Sequence, residues 1–186
     1  EREYEFFGNN RAFIDAWEAN DKHTMLLAGP AETGKTITCL SILHRECLDN
    51  PGLECLILRK VRKHTYNTVC RTFIQKILPA NYEQLGYTIY GGVNAPEIII
   101  YPPDERGRQS RIYVGGMDST TQSDMETSTN ALLSGEFDII YFNQAEEASR
   151  SDLDKLRGRC TGRAGNLPGP RLGGMLLDCN PAGENH

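Results

Sequence analysis

One octapeptide constrains this chain more than any other stretch: Gly29-Pro30-Ala31-Glu32-Thr33-Gly34-Lys35-Thr36. Glycine, four residues, then Gly-Lys-Thr is the spacing of a loop that cradles phosphates, and it requires a strand before it and a helix after it. Both are legible. Met25-Leu26-Leu27-Ala28 is an apolar run leading in, and beyond Lys35 the residues Ile37, Leu40 and Leu43 or Ile42 give a helix an apolar face. In such a loop glycines let the backbone wrap an anion. The N–H groups point inward, and the positive end of the helix adds to the field. Lys35 can reach the β- and γ-phosphates, and the hydroxyl of Thr36 can hold Mg²⁺. All eight residues are therefore candidate nucleotide contacts, with ATP and Mg²⁺ as the expected ligands.

The chain has 186 residues, enough for one domain with a substantial core. No apolar run approaches the roughly 20 residues that span a bilayer, so no membrane association is expected. The acidic start, Glu1-Arg2-Glu3-Tyr4-Glu5, lacks the apolar stretch of a signal peptide and an initiator Met. The chain is accordingly expected to be a piece of a longer protein. Six cysteines are scattered with no Cys-x-x-Cys pair, and buried reduced thiols are the expected state. The formal charge of −5 argues against a general nucleic-acid-binding surface. The exception is local. Arg59, Lys60, Arg62, Lys63, Arg71 and Lys76 follow one another with no acid among them. This stretch reads equally as a solvated helix face or as a phosphate-binding one, with Arg59, Lys60, Arg62 and Lys63 as candidate DNA contacts.

In chain order, Phe13, Ile14 and Trp17 lie at helical spacing. Just upstream, Phe7, Asn9 and Asn10 could cover an adenine by stacking and amide hydrogen bonds, or the aromatic could pack in the core. Asp49-Asn50-Pro51-Gly52 is a turn, and residues 54–58 form a short continuously apolar strand of the kind found in parallel sheets covered on both faces. Residues 24–58 thus form one β-α-β unit. The basic helix carries Val69, Phe73 and Ile77 and ends at Pro79. A hairpin is expected over residues 87–101, a strand over 111–114, and an exposed, mobile segment over 119–130. A strand at 137–142, a helix at 150–163 and a final strand at 176–181 complete the reading. The fold class is α/β: a P-loop nucleotide-hydrolase sandwich with a mainly parallel central sheet and helices on both faces. The phosphate-loop strand is expected at the centre, beside the 137–142 strand.

A phosphate loop of this type needs a carboxylate opposite it, usually Asp-Glu at the end of an apolar strand. Strand 137–142 is the one expected to carry it, but Asn143-Gln144 stands where the acids are expected. An amide is a poor Mg²⁺ ligand and no general base. Either the amides replace native acids, or the site uses Glu146 and Glu147 just downstream, with Glu146 as a second candidate for Mg²⁺ and Asn143 beside the nucleotide. The second account is favoured.

Taken together, these blocks resemble the ATPase domain of a tailed-bacteriophage terminase large subunit. The resemblance is carried by Leu26-Leu27-Ala28 with the phosphate loop, Leu56-Ile57-Leu58-Arg59-Lys60, Gly115-Gly116-Met117-Asp118, Phe137-Asp138-Ile139-Ile140-Tyr141-Phe142-Asn143-Gln144-Ala145-Glu146-Glu147, and Leu177-Asp178-Cys179-Asn180-Pro181. It implies ATP hydrolysis that drives double-stranded DNA into a procapsid, with Lys35, Glu146, Glu147 and Asn180 as catalytic residues. Asn180 would sense the γ-phosphate. Terminases often carry an Arg inside the loop; here Pro30, Ala31, Glu32 and Thr33 occupy those places. Arg157, Arg159 and Arg163 become the candidate arginine fingers, acting across a ring of subunits. The implied partners are double-stranded DNA, the portal protein, the terminase small subunit and further copies in a ring of five, although the isolated domain would be monomeric. The implied location is the host cytoplasm at the portal. An RNase H-like nuclease domain is expected in the full-length protein. The rivals are a helicase-like ATPase, for which the chain has no room for a second RecA-type domain, and a nucleotide switch without hydrolysis. A GTPase would normally show an Asn-Lys-x-Asp motif, and none occurs.

Overall fold

The apolar run entering the phosphate loop becomes an edge strand. In the computed structural model, which describes residues 4–19, 24–117, 135–165 and 173–181, β1 (Thr24–Ala28) leads into the loop and α2 (Lys35–Asp49) leaves it. α1 (Gly8–Ala19) precedes them. β2 (Glu54–Arg59) follows, then a helical stretch. It opens with α3 (Arg62–His64) and continues as two π-helical segments, Thr65–Cys70 and Phe73–Ile77. β3 (Thr88–Tyr90), β4 (Ile98–Ile100), β5 (Arg111–Gly116), β6 (Ile139–Phe142), α4 (Arg150–Arg159) and β7 (Gly174–Cys179) complete the order.

The seven strands form one sheet in the order β1-β7-β6-β2-β5-β4-β3. β1, β7, β6, β2 and β5 run parallel, and β3 and β4 close one edge as the expected antiparallel hairpin. The position expected for β1 is corrected. It is not central and does not touch β6; β7 lies between them. Strand order is set by packing between distant segments, and Leu176 and Leu177 make β7 apolar enough to be buried on both faces. The helix expected over 150–163 also stops four residues early. Cys160 leaves it to form a bridge with Phe137, and a Cβ at Gly173 would meet the Cys160 carbonyl oxygen at 2.0 Å.

Alternation along the strands divides the core. Leu27, Cys55, Ile57, Tyr141 and Leu176 face α1, α2 and the π-helical segments. Leu56, Leu58, Ile140, Phe142 and Leu177 face α4. Trp17 holds α1 on α2, its Nε1 donating to Glu46 Oε1 at 2.7 Å. Cys39, Cys47, Cys55 and Cys70 are buried thiols outside any disulfide. The segment 119–130 lies outside the described residues, as does Asp118.

α4 starts with a capping box. Ser149 Oγ accepts from Asp152 N at 3.2 Å, and Asp152 Oδ2 accepts from Ser149 N at 3.0 Å. Lys60 Nζ donates to the same carboxylate at 2.6 Å. That bond first, and the Ser149 N–H second, hold the Asp152 carboxyl down at about 2. A carboxyl held below its unfolded value of about 4 stabilises the fold above pH 4 and loses that contribution as pH falls toward 2. Asp152→Asn should therefore cost about 1 kcal/mol at neutral pH, the size of a lost cap. The gap from the parent should be constant down to about pH 4 and narrow below it. Urea midpoints taken from pH 7 to pH 3 check this; a gap that widens on acidification would refute it.

Candidate nucleotide site

Four parallel strands present their carboxyl ends in a row, and the site is built there. β1 ends in the phosphate loop, β7 in Asp178-Cys179-Asn180, β6 in Asn143-Gln144 and β2 in Arg59. Together with Thr68, Val69, Thr72 and Lys76 from the helical stretch after β2, these enclose a cavity of about 530 Å³. That is within the usual range for a ligand pocket.

The loop has the shape expected of an anion cradle. Glu32 (φ 63°) and Gly34 (φ 80°) are both left-handed, and Gly34 enters α2 with no side chain capping the helix. The first N–H groups of α2 are thus left for a ligand. Lys35 Nζ donates to the Pro30 carbonyl and lies 3.3 Å from Thr33 Oγ1, within the loop. Asn10 Nδ2 donates to the Thr33 carbonyl at 2.7 Å, so α1 is tied to the loop. A second cavity of about 200 Å³ lies on that side, lined by Phe7, Asn9, Asn10, Gly29, Pro30 and Lys35 among others. The residues expected around adenine are thus brought together, with the Phe7 ring 72% exposed and free to stack.

The carboxylate opposite the loop is one the sequence reading did not single out. Asp178 is 2% exposed and accepts from four residues. Thr36 Oγ1 donates at 2.9 Å, Tyr141 Oη at 2.8 Å, Asn143 Nδ2 at 2.9 Å and the Gln144 N–H at 2.7 Å. Alternation explains the convergence. Tyr141 and Asn143, two apart on β6, share a face with Leu176 and Asp178 on β7, and that face carries the start of α2. Burial and the Asp178 charge push the Tyr141 hydroxyl well above its ordinary range, so it stays a donor. The same two causes push the Cys39 thiol up. The signal in the sequence was an ionisable residue inside an apolar strand.

Gln144 adopts φ 58°, a left-handed conformation that costs a non-glycine residue roughly 1 kcal/mol or more. Its N–H bond to Asp178 and its side-chain bond to Arg59 hold it there. Glu146 and Glu147 follow in a short 3-10 turn, Ala145–Glu147. Glu146 Oε1 accepts from the Asn180 N–H at 3.3 Å, and neither Glu146 nor Glu147 is among the residues lining the larger cavity. Glu147 Oε1 pairs with Arg59, and Glu147 Oε2 is buried without a partner.

Arg59 is a correction. It is 6% exposed, lies on the Cys55–Ile57 face of β2 and lines the cavity, away from the exposed basic face expected of it. Lys60 points the opposite way, to Asp152. Arg62 lies over the Tyr66 ring, and Lys63 is exposed. Arg157, Arg159 and Arg163 are exposed and none lines the cavity. Arg159 is placed at the other end of the sheet, its carbonyl accepting from Phe137 N at 2.8 Å before β6 begins. Thr36 Oγ1 and Asp178 offer oxygen donors, the type Mg²⁺ prefers.

Comparison with solved structures places this architecture. The large terminase of a thermophilic bacteriophage superposes with a TM-score of 0.67 at 16% identity, over 96% of this chain and 40% of that one. The ADP complex of the same terminase gives 0.66. This chain has the fold of a large-terminase ATPase domain. The Thermus phage P74-26 large terminase ATPase domain matches at 0.60 and 13% identity, over 98% of this chain and 67% of that one. This chain therefore spans about 40% of the length of the first of these terminases. No family model and no curated protein matches the sequence.

Proposed function

We propose that this terminase-fold chain hydrolyses ATP to drive double-stranded DNA into a viral procapsid. The observation that carries the reading is the larger cavity. It brings a phosphate loop, a hydroxyl and buried carboxylate pair, and a buried arginine together at the carboxyl ends of four parallel strands. The terminase likeness supplies the DNA-packaging part. The N–H groups of residues 31–36 take the phosphates, Lys35 moves from the Pro30 carbonyl to the β- and γ-phosphates, and Thr36 holds Mg²⁺. Phe7, Asn9 and Asn10 take the base. Bound Mg²⁺ supplies charge neutralisation on the phosphates.

Glu147 positions the water. Its Oε1 pairs with Arg59, which lines the cavity, and its Oε2 is buried without a partner. Such an orphaned buried acceptor calls for a role. Water attacks the γ-phosphorus, the bond to the ADP oxygen breaks, and the water proton passes to Glu147, leaving ADP and phosphate. Asn180, on the cavity wall, reads the γ-phosphate, and its backbone bond to Glu146 links that reading to the turn after β6. Arg157, Arg159 and Arg163 act across the subunit interface of a homo-oligomeric ring, a pentamer on the portal protein that receives DNA from the small subunit. The site of action is the host cytoplasm; no helix among the described residues is long and apolar enough to cross a membrane.

The test is ATP turnover at high protein concentration with and without linear double-stranded DNA, over a salt series. DNA should raise turnover, and the stimulation should fade steeply with salt, because contacts to phosphates release counterions. ATP binding with no turnover under any condition would replace the motor with a nucleotide switch.

A further inference from the structure

The larger cavity has one buried carboxylate among its described lining residues, and it is not on the strand where such a site usually keeps it. Position 143, at the end of β6, carries an amide whose Nδ2 donates to both oxygens of Asp178 at 2.9 Å. Nδ2 also approaches Thr36 Oγ1 at 3.2 Å. The Nδ2 that Asn143 turns to Asp178 and Thr36 offers no lone pair to a cation, and a neutral amide oxygen is a poorer Mg²⁺ ligand than a carboxylate. Its neighbour supplies the carboxylate. Asp178 Oδ2 already accepts from Thr36 Oγ1, the hydroxyl that the loop spacing assigns to the metal. Leu27 and Asp178 are register partners, so the carboxylate sits one strand from the phosphate loop instead of two.

We propose that Asp178 on β7 orders the divalent cation of the bound nucleotide, and that Asn143 is an amide because Asp178 is an acid. The exchange is self-consistent. An Asp at 143 would set two carboxylates within about 3 Å, and like charges that close cannot both ionise without a metal between them. An Asn at 143 instead donates to Asp178 and fixes its plane. Tyr141 Oη and the Gln144 N–H also donate to it, which leaves the carboxylate rigid before any ligand arrives; it acts on the cation through Thr36, whose hydroxyl proton it holds so that the oxygen lone pair is turned to the metal. The strained Gln144 backbone has its explanation here too, since its left-handed turn is what aims that N–H at Oδ1. The amides at 143 and 144 then belong to a working site.

This rests on the nucleotide reading above, and the test separates the two. ATP affinity is measured by titration calorimetry in EDTA and in excess Mg²⁺ for the parent and for Asp178→Asn, which keeps shape and removes charge. The parent should bind metal-free ATP, and Mg²⁺ should tighten it about tenfold or more. Asp178→Asn should lose most of the Mg²⁺ gain, read as the ratio of its own affinities with and without the metal. Retention of the full gain by folded Asp178→Asn would overturn the assignment. No ATP binding by the parent would remove the nucleotide reading itself. Should Asp178→Asn fail to fold, the amide spectrum of the ATP-bound parent decides. The Gln144 N–H, bonded to Asp178, should shift when Mg²⁺ is added to an EDTA-treated sample, and an unmoved Gln144 signal would overturn the proposal.

Discussion

Glu147→Gln should lower ATP turnover by roughly 10²–10⁴-fold, the span of a lost general base, while nucleotide affinity stays within a few-fold. Glu146→Gln should cost less than about tenfold, as expected of a carboxylate that is not the base. The two acids are adjacent in sequence and reach different places. Glu146 is committed to the Asn180 N–H at the end of β7. Glu147 is held on one oxygen by Arg59, which lines the cavity, and its other oxygen is buried with no donor. A buried carboxylate oxygen without a donor, on a residue paired with a cavity-lining arginine, can take the proton of a bound water; Glu146 instead braces the end of β7. Single-turnover kinetics with matched binding titrations check this. If Glu146→Gln is the dead variant and Glu147→Gln retains turnover, the roles are reversed.

The same contrast shows what the sequence could disclose. The phosphate loop, its strand and its helix were legible because spacing and local apolar runs define them. The 137–142 strand and the hairpin were legible for the same reason. The edge position of β1 was not, since the strand beside it comes from residues 174–179, far along the chain, and nothing local states that pairing. Arg59 and Lys60 looked like one basic patch. On a strand, neighbours face opposite ways, and Arg59 turns inward to the phosphate cavity while Lys60 turns out to α4. Asp178 was in plain view between Leu177 and Cys179, but its meaning depended on Thr36, 142 positions away. Phe7, Asn9 and Asn10 come together on one cavity beside the loop, where Trp17 packing fixes α1 on α2, the helix that leaves the loop.

Arg59→Ala should do two things at once. It should lower stability by about 2 kcal/mol, less than the 3–5 kcal/mol typical of a broken buried pair, because the Glu147 side chain keeps some water contact. That exposure is 30%, against 8% for Arg59. A loss of this size should move the melting temperature down by about 4–8 °C in a domain of this length. It should also cut turnover by about 10² or more, since Arg59 lines the cavity and its Nε is buried without a partner. Nothing else on β2 can replace that charge: Lys60 is turned to the opposite face and tied to Asp152. Arg59→Lys separates the two effects. It keeps a charge but loses the fork that reaches Thr68, Gln144 and Glu147 together, so it should recover stability better than turnover. A melting temperature that falls while turnover stays within a few-fold of the parent would reduce Arg59 to a prop for Glu147. It would also leave the stabilisation of the transferring phosphoryl group to an arginine from the neighbouring subunit.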